Sequence, residues 1–200
     1  MFYIVLGAAG FLVIHLFDLV ALKRLPLVKP ITWGLGNALL VYGTIGVCLN
    51  GDTLPLPVWS TWLGWGLLAA SLILLIHALF INLPFGKTYV NTGVGDRLVT
   101  TGLYALVRHP WLHFYVLVLL SLLLVSHSSL LLVAIPVWLA LNLPLVIIQD
   151  RYVFGRMFPD YGEYRQRTPM LWPNKKSIKA FLGQFNFSQE VNKIRGGLSR

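Results

Sequence analysis

Two stretches of this sequence combine residue types able to do polar chemistry, and both interrupt long apolar runs. Residues 98–110 read LVTTGLYALVRHP and bring Arg108 and His109 to the start of an apolar segment, with Pro110 suited to its first helical turn. Residues 149–173 read QDRYVFGRMFPDYGEYRQRTPMLWP, where Asp150 closes the preceding apolar run and Tyr161 and Tyr164 stand three apart. Arg167-Thr168-Pro169 and Trp172-Pro173 follow. An arginine at the edge of an apolar segment has a simpler use, snorkelling to lipid phosphates while the proline starts the helix. Inside the apolar runs, His15 and Asp18 lie one helical turn apart; ionisable groups at such depth are functional candidates, and mutual pairing or pairing with Arg24 is the structural alternative. His15 and His77 are not spaced for haem ligation, and hydrogen-bonded packing is the favoured reading of both. Cys48 is the only cysteine, which excludes an intramolecular disulfide and a cysteine-based metal site. No metal is assigned.

The elements that must position these residues are set by hydropathy. The chain is 56% hydrophobic and 12% charged, where a soluble domain is about a quarter charged. Apolar runs at 2–22, 31–49, 57–82, 110–126 and 130–148 are each long enough, or nearly so, to cross roughly 30 Å of hydrocarbon as a helix. The expected fold class is therefore an all-α integral membrane protein of about five transmembrane helices. Only residues 127–129 separate the last two, which predicts a tight antiparallel hairpin; the cytoplasmic C-terminal segment after it is, with 83–109, where any polar, catalytic chemistry must be assembled. Lys23, Arg24 and Lys29 fall in the first loop, Lys87, Arg97 and Arg108 in the third, and the remaining basic residues follow the fifth span. Because basic loops stay in the cytoplasm, the N-terminus is expected outside and the C-terminus inside. The net charge of +9 then reads as this asymmetry plus attraction to anionic membrane lipids, with no nucleic-acid partner. The membrane is the plasma or inner membrane in a bacterium and the endoplasmic reticulum in a eukaryote.

No basic region precedes residues 2–22 and no small-residue cleavage pattern precedes Lys23-Arg24, so the first span is expected to be retained. Residues 1–173 form one membrane domain with its catalytic part at 84–173, and 174–200 form a basic polar tail. In that tail Ile178, Phe181, Leu182 and Phe185 fall at helical spacing beside Lys175, Lys176 and Lys179, a pattern shared by amphipathic surface helices and frayed termini. Gly34, Gly36, Gly43 and Gly46 in the second span suggest close helix contact.

Taken together, the two polar stretches resemble the integral membrane methyltransferases that include isoprenylcysteine carboxyl methyltransferase and the phospholipid N-methyltransferases. The pattern there is LVTxGxYxxxRHPxY, a hairpin, acidic residues, FGxxYxxY or FPxYxxY, and RxPxxxP; the match covers 98–173. The resemblance implies methyl transfer from S-adenosylmethionine to a lipid or lipidated acceptor, carboxylate or amine, at the cytoplasmic face. By motif position, Leu98, Val99, Tyr104, His109, Pro110 and Asp150 would bind the cofactor. Arg108 and Arg167 would act at the catalytic centre, holding the cofactor carboxylate or an anionic acceptor head. The family's paired glutamates correspond here to Gln149-Asp150, its tyrosine to Leu112, and a glycine two residues on to Phe114. Two other classes stand beside it: one resembles this group in its terminal helices and draws a nucleotide cofactor from the cytosol, the other keeps only its fold. A steroid-reductase-like oxidoreductase using NADPH typically carries a Pro-Asn-Tyr element where this chain has Arg108-His109-Pro110; a non-catalytic relative would keep the fold and bind a partner or lipid.

Overall fold

The computed structural model describes residues 1–23, 25, 27–83, 86–90 and 98–184, with the side chains of 86 and 87 excepted. Arg24, Arg97, the Lys87 side chain and Phe185 lie outside the described residues.

Leu, Val, Ile and Ala dominate the apolar runs, and in hydrocarbon such segments satisfy their own backbone polar groups only as helices. The helices are α1 (Phe2–Leu22), α2 (Val28–Asn50), α3 (Val58–Ile76), α4 (Leu103–Leu106), α5 (Pro110–Ser126), α6 (Leu130–Ile148), α7 (Phe154–Met157) and α8 (Tyr161–Arg167). Single π-helical turns extend α3 through His77–Ile81 and α6 through Gln149–Val153. Among the described residues there is no strand, and Thr53 and Ser128 form an isolated bridge. Four stretches, Phe2–Leu22, Val28–Asn50, Val58–Ile81 and Leu130–Met157, are long and apolar enough to cross a bilayer; Pro110–Ser126 is an apolar helix of 17 residues. The chain is an all-helical membrane protein. Its exposed Leu16, Val41, Ile45, Trp62 and Ile73 are what a lipid-facing surface requires. One boundary differs from the sequence reading: Lys29 belongs to α2 rather than a loop, is buried, and places its ammonium 5.4 Å from the centre of the Phe17 ring.

Packing follows small residues and one large one. A Cβ on Gly43 would stand 2.7 Å from the Gly7 nitrogen, and one on Gly10 2.7 Å from the Leu40 nitrogen, so α1 and α2 meet backbone to backbone. Gly36 is crowded by the α1 backbone and the Ile14 side chain and Gly46 by the Tyr3 ring, while Gly34 has open space around it. Trp138 of α6 is fully buried against Phe11, and its indole N–H donates to the Ile4 carbonyl at 2.9 Å.

The connection between α5 and α6 is as short as expected. His127 takes the left-handed conformation at φ 54, its carbonyl accepts from Leu54 N–H at 2.7 Å, and Ser128 Oγ donates to the Val47 carbonyl at 2.6 Å. Beyond this turn the two helices diverge: α5 runs along α3, whereas α6 packs on α1 and α2. The space between them becomes a cavity. After α8, Asn174 caps a final helix over 175–184 by accepting from Ser177 N–H at 2.9 Å, and Gln184 Oε1 accepts from Gly102 N–H at 2.7 Å. Ile178 and Leu182 of this helix are exposed beside its lysines, the arrangement of an amphipathic surface helix.

Candidate functional site

At one end of the bundle the two polar stretches are brought together. Gly102 has φ +61, and a side chain there would meet the Asn82 carboxamide at 2.6 Å, so glycine is needed to turn the chain into α4. The backbone N–H groups of Arg108 and His109 donate to the carbonyls of Pro169 and Met170 at 3.0 and 3.2 Å, fastening the start of α5 to the segment after α8. The π-helical turn after α6 carries Gln149 and Asp150 on adjacent positions, one toward α1 and the other toward α5 and α8.

Asp150, 2% exposed, is the hub of a saturated cluster. Its carboxylate accepts from Arg108 Nε at 2.7 Å and Nη2 at 2.8 Å, a bidentate pair, from Tyr161 Oη at 2.5 Å and from His109 Nε2 at 3.2 Å. A carboxylate only accepts, so His109 carries its proton on Nε2. Arg108 Nη1 donates to the carbonyls of Arg165 and Thr168 at 3.2 and 2.5 Å, so four of its five N–H groups are used within the protein. Tyr164 Oη donates to the Tyr104 carbonyl at 2.6 Å, and Phe154 stacks on the His109 ring at 5.9 Å. Burial works against the Arg108 charge, but the hydrogen bonds and charge of Asp150 outweigh it and raise the guanidinium's pKa. Burial pushes His109 below the usual histidine value, opposed by Asp150. Burial, then the bond to Asp150, pushes the Tyr161 hydroxyl well up.

Beside this cluster lies a cavity of about 460 Å³, within the range of small-molecule sites. Leu98, Val99, Tyr104, Arg108 and His109 line it, as do Tyr161 and Tyr164. Asp150 stands behind that wall, buried beneath Arg108 and His109, and Pro110 is buried as the first residue of α5. Arg167 is elsewhere, exposed on α8 and paired with Glu163 at 3.0 Å.

The same cavity holds a second polar group that is left open. His15 Nε2 is 3.1 Å from Asn142 Oδ1, its Nδ1 is 3.6 Å from Asp18 Oδ2, and Gln149 Nε2 donates to Asp18 Oδ2 at 2.8 Å. Three buried atoms here have no hydrogen-bond partner: Tyr115 Oη, Asn142 Nδ2 and Gln149 Oε1. All five side chains line the cavity. Tyr115 and Asn142 escaped the sequence reading, which sought ionisable groups; the available signal was a neutral polar side chain amid an apolar run, itself costly without a partner. Among the described residues, no group of three or more His, Cys, Asp or Glu converges to hold a metal ion.

No protein-family model and no solved structure matches the chain. It is similar to two bacterial proteins. One is the nickel-cobalt-cadmium resistance protein NccN of Alcaligenes xylosoxydans xylosoxydans, 28% identical over 114 residues, 57% of this chain and 53% of that protein. The other is the cobalt-zinc-cadmium resistance protein CzcN of Cupriavidus metallidurans, 26% identical over 111 residues, 56% of this chain and 50% of that protein. The chain thus spans about half the length of the curated relatives it matches.

Proposed function

We propose that this protein transfers a methyl group from S-adenosylmethionine to an acceptor whose apolar tail lies in the bilayer. The observation that carries the reading is the cavity. It gathers Leu98, Val99, Tyr104 and His109, distant from the polar residues of α1 and α6 in sequence, around one space bounded by rings and apolar side chains. Such a lining suits a sulfonium and a flat base, since aromatic faces attract cations and apolar walls exclude water. The cofactor supplies an activated methyl group; the protein's contribution is alignment, and held geometry is worth several kcal/mol in such a displacement. The saturated cluster around Asp150 acts here as the rigid floor of the site, holding His109 and Tyr161 in place. In this reading all five apolar helices cross the membrane, and the end bearing Arg108 and Asp150 faces the cytoplasm, as the basic residues there favour.

Calorimetric titration of the detergent-purified full chain with S-adenosylhomocysteine tests the proposal. Saturable binding is expected, and Leu98→Trp, which fills the cavity without touching the Asp150 cluster, should abolish it. Absence of binding in folded wild type would overturn the reading; NADPH binding in its place would favour the reductase, and binding of neither a non-catalytic role.

A second reading comes from the two relatives' names: a contribution to nickel, cobalt, zinc or cadmium resistance. Growth of cells expressing wild type or Leu98→Trp across graded concentrations of these metals tests it. Protection by wild type alone would join the two readings, and no protection by either would remove the second.

A further inference from the structure

We infer that the open cluster around Asp18 is a recognition site for the amine head of an amphiphile whose tail occupies the apolar remainder of the cavity. The polar groups there are unmatched in a way that specifies a ligand. The Asp18 side chain is 9% exposed, yet among the described residues its one hydrogen-bond donor is the Gln149 amide, with His15 Nδ1 beyond hydrogen-bond reach at 3.6 Å. The oxygen of that amide, Gln149 Oε1, is buried without a hydrogen-bond partner. The Asp18 carboxylate lines the cavity and can only accept, so the ligand that completes it is a donor, and beside a carboxylate the best donor is a cation.

The rest of the cavity agrees in sign. Arg108, the one guanidinium on the wall among the described residues, is committed to Asp150 and two carbonyls, and so is poorly placed to hold a carboxylate or phosphate head. Trp33 and Tyr89 are among the aromatic residues that line the cavity, and aromatic rings attract ammonium groups. Lys29, outside the lining, already rests its ammonium over Phe17.

The inference rests on the methyl-transfer reading only in making this amine the methyl acceptor. There, an ammonium first gives a proton to the Asp18 carboxylate. The neutral nitrogen then takes the methyl group, an N–C bond forming as the methyl–sulfur bond breaks and its electron pair stays on sulfur. The methylated ammonium leaves, and the Asp18 proton passes to water.

The test uses the full chain in maltoside micelles, titrated calorimetrically with octylamine and with octanoate, which share a tail and differ in head charge. Octylamine is expected to bind at one site, with octanoate about tenfold weaker or more, and Asp18→Asn should weaken octylamine by about tenfold or more, the worth of one charged hydrogen bond. Equal binding of the two amphiphiles, no saturable octylamine binding, or an unchanged affinity in Asp18→Asn would each overturn the inference. If Asp18→Asn does not fold, the wild-type comparison of the two heads decides alone. Titration of the same wild-type preparation with S-adenosylhomocysteine keeps the two claims apart. Octylamine binding without it leaves the amine site standing and methyl transfer fallen; the converse leaves methyl transfer standing without the amine site.

Discussion

Two polar clusters meet at neighbouring residues, Gln149 and Asp150, and they are built on opposite plans. Around Asp150 every strong group is matched: four donors reach one carboxylate, and the guanidinium opposite has four of its five N–H groups engaged. Around Asp18 the matching is incomplete, with orphaned buried atoms on Tyr115, Asn142 and Gln149, residues that line the cavity. A saturated buried network holds helices and loops in one arrangement, whereas an unsaturated one raises the free energy of the empty protein and lowers it again when something fills the gap. The contrast gives the first cluster a fastening geometry, while the second is the one the proposed amine head would complete.

The largest expected effect breaks the saturated cluster. Asp150→Ala leaves the Arg108 charge buried without its counterion and should cost about 3–5 kcal/mol in thermal or denaturant unfolding in detergent. Arg108→Met combined with Asp150→Leu removes both charges and should recover most of that loss. A double variant as unstable as the single one would show that the pair is more than a clamp.

The open cluster should respond in the opposite sense. Tyr115→Phe deletes a buried hydroxyl that has no partner, so unfolding stability should stay within about 1 kcal/mol of wild type or rise. A loss beyond that would mean the hydroxyl is already satisfied in the ligand-free protein and would erase the contrast.

The smallest effect is a pH dependence. The buried His109 titrates below the unfolded histidine value of about 6.5, so between the two values the unfolded chain binds more protons than the folded one. Stability is therefore full above about pH 6.5 and declines as pH falls from there toward the folded value. His109→Asn should flatten that segment of the stability curve; an unchanged slope would assign it to other groups.

The sequence and the structure part company in an instructive place. Hydropathy located the helices well: the runs 2–22, 110–126 and 130–148 are α1, α5 and α6 to the residue, because burial of a backbone in hydrocarbon leaves helix as the one solution. Which helix packs on which was not legible, since lipid-facing and helix-facing leucines look alike in sequence. A short turn joins α5 and α6, which touch each other, but α5 lies mainly along α3 and α6 mainly along α1 and α2, partners the sequence did not name. Of the site residues, Leu98, Val99, Tyr104, Arg108 and His109 do line one cavity. The engagement of Arg108 with Asp150, 42 positions away, could not be seen in a motif, because a motif names residue types and not the partners that use up their hydrogen bonds. Arg167 stood next in line as an anion-holding residue, and the structure places it on an exposed helix face with Glu163.

The π-helical turn at Gln149–Val153 makes the two clusters a single mechanical unit. Such a turn holds one residue more than the α-helical path, and each residue advances the helix by about 100°. Gln149 and Asp150 are adjacent in that turn and therefore face different directions, so one stretch of chain grips the loops through Asp150 and reaches Asp18 at the cavity through Gln149.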